Sequence, residues 1–266
     1  MTPTTPRNFK NPAATLLPTV AMAALMLSGC ATGPNATPGD PLEPFNRGVF
    51  QFNDKLDTYV AAPLARGYQD VVPTVARTGV TNFFSNLGDV GNAANNLLQG
   101  KVQDGADSLI RVVINTVFGI GGLFDVATAS GLQKHPQDTG RTLAAWGIGA
   151  GPYLVLPLFG PSDARDAIGL AGDLQLDPVR YAQPTTRTAL YGLNFVNTRA
   201  NLLGATDLLQ GAALDPYSFV RDAYQQQRRY LIDKNAGKTS LPTYDDQADD
   251  EATSKPAEQP AAAPAK

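Results

Sequence analysis

Two chemically versatile side chains occur once each in this 266-residue chain: Cys30 and His135. A lone cysteine can neither close an intramolecular disulfide nor seed a cysteine zinc cluster. A lone histidine removes most metal-site and triad chemistry. No Gly-x-Ser-x-Gly elbow is present to carry a hydrolase nucleophile. His135 stands in a Gln133-Lys134-His135-Pro136 stretch near Asp138 and reads as a solvated loop histidine without convergent partners. The glycines of Gly119-Ile120-Gly121-Gly122 follow a helical pattern instead of a strand, with no Lys-Ser/Thr after them. They read as a turn or a point of close backbone packing, not a phosphate loop. The sequence therefore predicts no enzyme, no cofactor and no metal, and leaves Cys30 as the residue whose chemistry needs an explanation.

The context of Cys30 supplies one. Arg7 and Lys10 give a positive start, Ala13 to Leu27 is apolar apart from Pro18, and Leu27-Ser28-Gly29-Cys30 follows. This layout is that of a signal peptide, and its end resembles the bacterial lipobox, whose cysteine is acylated and becomes the new N-terminus. Several acyl chains anchor a protein firmly where a single one binds marginally. Ala31, in place of an aspartate, favours outer-membrane sorting by analogy with bacterial lipoproteins. Residues 1–29 are thus expected to be a signal peptide, and residues 30–39, rich in Gly, Pro, Asn and Thr, a tether.

Charged residues make up only 17% of the chain, against the usual ~25%, while 43% are hydrophobic. Taking Arg7 and Lys10 from the formal net charge of −3 leaves −5 on the remainder. That is no footprint for nucleic acid and gains nothing from anionic headgroups, so any membrane affinity is apolar or covalent. The chain is organised around Trp146 to Phe159, WGIGAGPYLVLPLF, with no charge before Asp163. The run is too short and too broken by Gly and Pro to cross a bilayer as a helix, which takes about 20 apolar residues. It reads either as a buried loop and strand or as an apolar hairpin lining a lipid path.

The elements that must hold it are mostly helical. Residues 40–60 carry Phe45, Val49, Phe52 and Leu56 at helical spacing, with Asp40 as a possible cap, and form either a helix docked on a core or an interfacial one. Pro63 and Pro73 bracket a connector. Helices are expected over 74–87, 89–99 with Asn92, Asn95 and Asn96 on a polar side, and 103–118 with Leu109, Ile110, Val113 and Val117 in its apolar stripe. Arg111, paired or solvated, and Asn115 intrude on that last pattern. Further helices start near Asp138 and Ser162, run over 185–209, and run over 216–234 with Asp215 as cap. The class is all-α. Residues 237–266, acidic and then rich in Ala and Pro, read as a disordered tail.

Many short motifs then fall in order: Asp40-Pro41-Leu42-Glu43 with Phe45-Asn46-Arg47, Phe52-Asn53, Asn96-x-Leu98-Gln99-Gly100, Arg111 with Asn115-Thr116, Gly119-x-Gly121-Gly122 and Asp125-Val126-Ala127. Trp146-Gly147, Gly149, Gly151-Pro152-Tyr153, Leu156-Pro157, Arg165-Asp166 and Asp215-Pro216-Tyr217 complete the set. From about residue 40 to 235 the chain resembles the MlaA (VacJ) family of outer-membrane lipoproteins. The resemblance implies a ring of amphipathic helices around a central channel, set in the inner leaflet of the outer membrane beside a trimeric porin. It implies that phospholipid misplaced in the outer leaflet passes through to a soluble periplasmic carrier. Under it, Cys30 is the lipidation site. Phe52, Asn53, Asn115, Trp146, Gly147, Gly149, Gly151, Pro152 and Tyr153 are channel or gate candidates, with simple core packing open for Phe52 and Asn53 and a helix-packing contact open for Asn115; Arg165 with Asp166 is either a pair fixing the hairpin base or an ordinary surface pair. A scaffold that binds a porin without moving lipid stays open as the alternative.

Overall fold

The computed structural model describes residues 40–212 and 214–238. The signal peptide, Cys30, the tether and nearly all of the acidic tail lie outside the described residues. Helix α1 (Glu43–Leu56) runs through a π-helical turn at Asp57–Ala61 into α2 (Ala62–Val71). The residues between Pro63 and Pro73 are therefore helical and not a connector. Pro63 directly follows the π-helical turn, whose wider winding (Ala62 N–H to Asp57 O) accommodates a residue that has no N–H to give.

α3 is one continuous helix, Thr74–Leu98, where two were expected. Gly88 lies in its interior without breaking it, because α4 (Val102–Val117) packs along it. A glycine loop leads to the short α5 (Val126–Ala129), then α6 (Thr139–Ala145), capped by the Asp138 carboxylate accepting from Arg141 N. Two strands follow, β1 (Tyr153–Leu156) and β2 (Gly160–Asp163), then α7 (Ala164–Leu176), a 3₁₀ turn at Pro178–Tyr181, α8 (Pro184–Ala212) and α9 (Pro216–Asn235). Asp163 and Asp215 cap α7 and α9 with their carboxylates. The fold is mostly helical, and the two-stranded hairpin is its departure from all-α. No described helix is long and apolar enough to cross a membrane.

The apolar stripes of the helices lie largely outward. On α1, for which a core-docked and an interfacial helix were both open, Phe45 and Phe52 are 53% and 54% exposed, whereas Asn46 is fully buried. On α4, Leu109, Ile110, Val113 and Val117 are exposed, while Gly105, Ser108, Arg111 and Asn115 face inward. On α3, Val75 is exposed and Asn92, Asn95 and Asn96 are buried. The buried hydrophobic residues are chiefly small, as where Ala62 and Ala65 of α2 meet Ala200 and Leu203 of α8. The interior is held by hydrogen bonds between polar side chains, which must be satisfied once removed from solvent.

Candidate functional site: the hairpin, its clamps and its base

The hairpin pairs antiparallel in the register Tyr153↔Asp163, Leu154↔Ser162, Val155↔Pro161, Leu156↔Gly160. A two-stranded ribbon is marginal alone. Here the other edge of β1 is taken by two side chains of α1. Asn46 Nδ2 donates to Tyr153 O (3.0 Å) and its Oδ1 accepts from Val155 N (2.9 Å). Asn53 repeats the pattern one step along: Nδ2 donates to Leu156 O (2.9 Å) and Oδ1 accepts from Leu158 N (2.9 Å). A carboxamide offers a donor and an acceptor in one plane, like a peptide. Seven residues of helix rise about 10.5 Å, and three residues of strand cover about 10 Å. The two asparagines therefore stand in for a third strand. Asn46 stands in the Phe45-Asn46-Arg47 motif but was not among the candidate site residues; its spacing of seven from Asn53 was the available signal.

Asn46 also donates to the carboxylate of Asp40 (2.9 Å), and the Tyr217 hydroxyl donates to the same carboxylate. Asp40 thus ties the start of the body to α1 and α9 and does not cap α1, which has no side-chain cap. Beneath the hairpin, Tyr153, Val155 and Tyr217 form a small apolar cluster with Val49, Phe50 and Tyr224 around it.

The tip of the hairpin points its apolar residues outward. Leu158 and Phe159 are both exposed, and Leu158 holds a left-handed φ of 70°. That conformation costs a non-glycine residue about 1–3 kcal/mol, offset by the bond from its amide to Asn53. Upstream, Trp146 is exposed and its indole N–H donates to Leu98 O (3.1 Å). Gly147 (φ 89°) and Gly151 (φ 71°) need the left-handed region, and a Cβ on Gly151 would come 3.0 Å from Ala164 Cβ. Gly149 has open space around it. Pro152 O accepts from Ala164 N and Ala150 O from Arg165 N, so this segment is pinned to the start of α7.

Arg165 and Asp166 form a buried base, not a surface pair. Arg165 Nε donates to Asp166 Oδ1 (2.9 Å) and Nη2 to Asp163 Oδ2 (3.0 Å), with the three side chains nine-tenths or more buried. The Tyr224 hydroxyl donates to Asp166 Oδ2 (2.7 Å), and Arg228 bridges Asp166 to Asp138. Burial pushes the Asp163 carboxyl up, and the charge of Asp166 adds to this. Burial also acts to raise Asp166, but hydrogen bonds from Arg228, Tyr224 and Arg165 outweigh it and hold it low.

Asn115 bonds elsewhere. It donates to Asp125 Oδ1 (3.1 Å) and accepts from Ala127 N (2.9 Å), inside a network centred on the buried Arg111. Arg111 pairs with Asp89 (3.1 Å) and with both oxygens of Asp125 (3.2 Å), and donates to Thr128 Oγ1 and Leu132 O. Burial pushes the Asp125 carboxyl up. Bonds from the Thr128 hydroxyl and amide, from Asn115 and the charge of Arg111 outweigh that and bring it to about 2. This network fixes the glycine loop, whose close packing is literal: a Cβ on Gly122 (φ 92°) would lie 2.8 Å from Asn86 Nδ2. His135 is not solvated as expected; it lies between Asp104 (3.6 Å) and Asp107 (3.5 Å) on α4.

What these residues build is a clamped hairpin with an apolar tip. The family model for the MlaA lipoprotein matches residues 38–231. The chain belongs to the MlaA lipoprotein family. Among MlaA-family relatives, the intermembrane phospholipid transport system lipoprotein MlaA of Escherichia coli K12 is 36% identical over 221 residues, covering 81% of this chain and 88% of its own. Its Haemophilus influenzae counterpart is 32% identical over 241 residues, 84% and 94% of the two chains. A solved structure bearing on the structural basis for maintenance of bacterial outer membrane lipid asymmetry superposes with a TM-score of 0.64 at 36% identity. It covers 73% of this chain and 98% of that one.

Proposed function

We propose that this MlaA-family chain is an outer-membrane lipoprotein, anchored through Cys30 at the inner leaflet and facing the periplasm. It removes phospholipid misplaced in the outer leaflet and passes it to a soluble periplasmic carrier, maintaining lipid asymmetry. A trimeric porin is the expected neighbour, and a ring of helices around a channel the expected form. The observation that carries this reading is the inverted polarity of the helices. Apolar side chains such as Val71 and Val75 (81% and 78% exposed) and Phe118 (70%) lie outward, over an interior of asparagines and ion pairs. In water so much exposed apolar surface is a liability. Against acyl chains it carries no penalty, since hydrocarbon is as apolar as leucine.

Phe52 and Asn53 act at the gate. Asn53 holds the loop after β1, and Phe52 stands exposed beside it. No bond is broken; a lipid needs a polar path for its head and an apolar surface for its tails. The driving force is the higher energy of phospholipid in a leaflet built from another amphiphile.

The test is outer-leaflet phospholipid in cells lacking the gene and in cells carrying a deletion of Phe52 and Asn53, read with an acyltransferase that acts only on lipid exposed there. A rise in the null strain is expected, and a rise with the deletion places the gate at α1. An unchanged null strain leaves a porin scaffold and removes the transport reading.

A further inference from the structure

The two clamps on β1 differ in one respect. Among the described residues, Asn53 bonds through its side chain to the hairpin alone. Asn46 gives the second hydrogen of its Nδ2 to Asp40 Oδ1 (2.9 Å), and the other Asp40 oxygen accepts from the Tyr217 hydroxyl. Asp40 is buried, and among the described residues its carboxylate bonds to no group of the hairpin. Its ion pair is the looser contact. Arg221 Nη1 lies 3.7 Å away, while Arg221 Nε has Asp222 at 2.8 Å.

A carboxamide turns about a soft terminal torsion, and its two ends are opposite in hydrogen-bond character. Asn46 matches a strand edge only with Nδ2 toward Tyr153 O and Oδ1 toward Val155 N. A carboxylate has no proton to give, so Asp40 accepts only from the Nδ2 end. It thereby fixes both the sense and the plane of the carboxamide. The place of Asp40 is set in turn by α9. Burial pushes the Tyr217 hydroxyl up, and its bond to Asp40 adds to this, so it stays a donor. The first turn of α9 is bound to α1 as well. Arg47 donates to both oxygens of Asp215 (3.2 and 2.7 Å) and lies 4.4 Å from the centre of the Tyr217 ring.

We propose that Asp40 is the positioning residue of the hairpin clamp: it aims the Asn46 carboxamide at β1 and makes the hold on the hairpin depend on the first turn of α9. As part of a lipid gate it rests on the transport reading. Hydrogen exchange reads the clamp without any lipid moving, so the two fail separately.

Amide exchange is measured on the full lipoprotein in detergent micelles, in the parent and in Asp40→Ala, Asp40→Asn and Tyr217→Phe. In Asp40→Ala the Val155 amide is expected to lose protection roughly tenfold. The Leu158 amide, held by Asn53, and the Ala127 amide, held by Asn115, keep theirs. Asp40→Asn still offers Asn46 an oxygen and turns its own Nδ2 to the Tyr217 oxygen, so Val155 returns to within roughly twofold of the parent. Tyr217→Phe keeps the ring against Phe50 and removes only the hydroxyl, lowering Val155 protection roughly threefold in folded protein. A mere counter-charge for Arg221 would be lost alike in the alanine and asparagine variants. Equal losses in those two, or an unchanged Val155 amide in Tyr217→Phe, overturn the proposal. In cells, where loss of the gene raises surface phospholipid, Asp40→Ala raises it and Asp40→Asn does not; a level indifferent to Asp40→Ala overturns its part in the gate.

Discussion

Replacing Asn46 and Asn53 separately by alanine separates the two halves of the clamp on the hairpin. Asn46 is fully buried and serves three partners: Tyr153 O, Val155 N and the Asp40 carboxylate. Asn46→Ala strands two main-chain groups away from water. Each such group costs about 1–3 kcal/mol, so a loss of about 3–5 kcal/mol is expected. Asp40 keeps the Tyr217 hydroxyl and Arg221, which limits its share of the damage. Asn53 is half-buried and its partner Leu158 is exposed, so water replaces the lost bonds in Asn53→Ala. The expected cost there is about 1 kcal/mol. At roughly 2–4 °C per kcal/mol for a body of this size, Asn46→Ala lowers Tm by about 10 °C and Asn53→Ala by only a few degrees. Amide hydrogen exchange gives the local readout. In Asn53→Ala the Leu158 amide loses protection while Val155 keeps it, and the surface-phospholipid assay reports a gate defect in folded protein. Equal Tm losses in the two variants, or a Leu158 amide still protected in Asn53→Ala, would refute the third-strand reading of the two asparagines.

Two further outcomes follow from the Arg111 network. Arg111→Gln leaves Asp89, whose side chain is 1% exposed, with only Lys134 at 3.3 Å to balance its charge. Unfolding by urea is expected to show a loss of about 3–5 kcal/mol; a loss below 1 kcal/mol would mean that the network does not hold the loop. The Asp125 carboxyl, held at about 2 against 3.8 for the free group, stabilises the fold fully above pH ~4 and loses that contribution as pH falls through ~2. In Tm measured from pH 5 down to pH 2, Asp125→Asn starts lower than the parent and flattens its decline; parallel curves would contradict the assignment.

What the sequence could and could not reveal follows from one physical fact. Helical periodicity records which residues share a face, not what lies against that face. The stripe Leu109, Ile110, Val113 and Val117 marks α4 correctly whether its surroundings are protein or lipid, and the rule that apolar faces turn inward presumes water outside. The same residues therefore locate the helix and misdirect its orientation, and Arg111 and Asn115, which look like intrusions on an apolar pattern, are the buried face. The strands of the hairpin were legible only as one of two readings of an apolar run, for a different reason. Strands of four residues interrupted by Pro157 carry too little alternation to be distinguished from a loop, and β1 depends on side chains 103 to 109 positions away. Asn46 and Asn53 were visible as a pair at a spacing of seven, but an amide spacing acquires meaning only once a strand edge of matching length is placed beside it. Polar residues at helical spacing beneath an apolar outer face are thus the signal that survives a change of solvent. In this chain that signal marks the interior on two helices, through Asn92 and Asn96 on α3 and Ser108, Arg111 and Asn115 on α4, while on α1 Asn46 is buried and Asn53 half-buried.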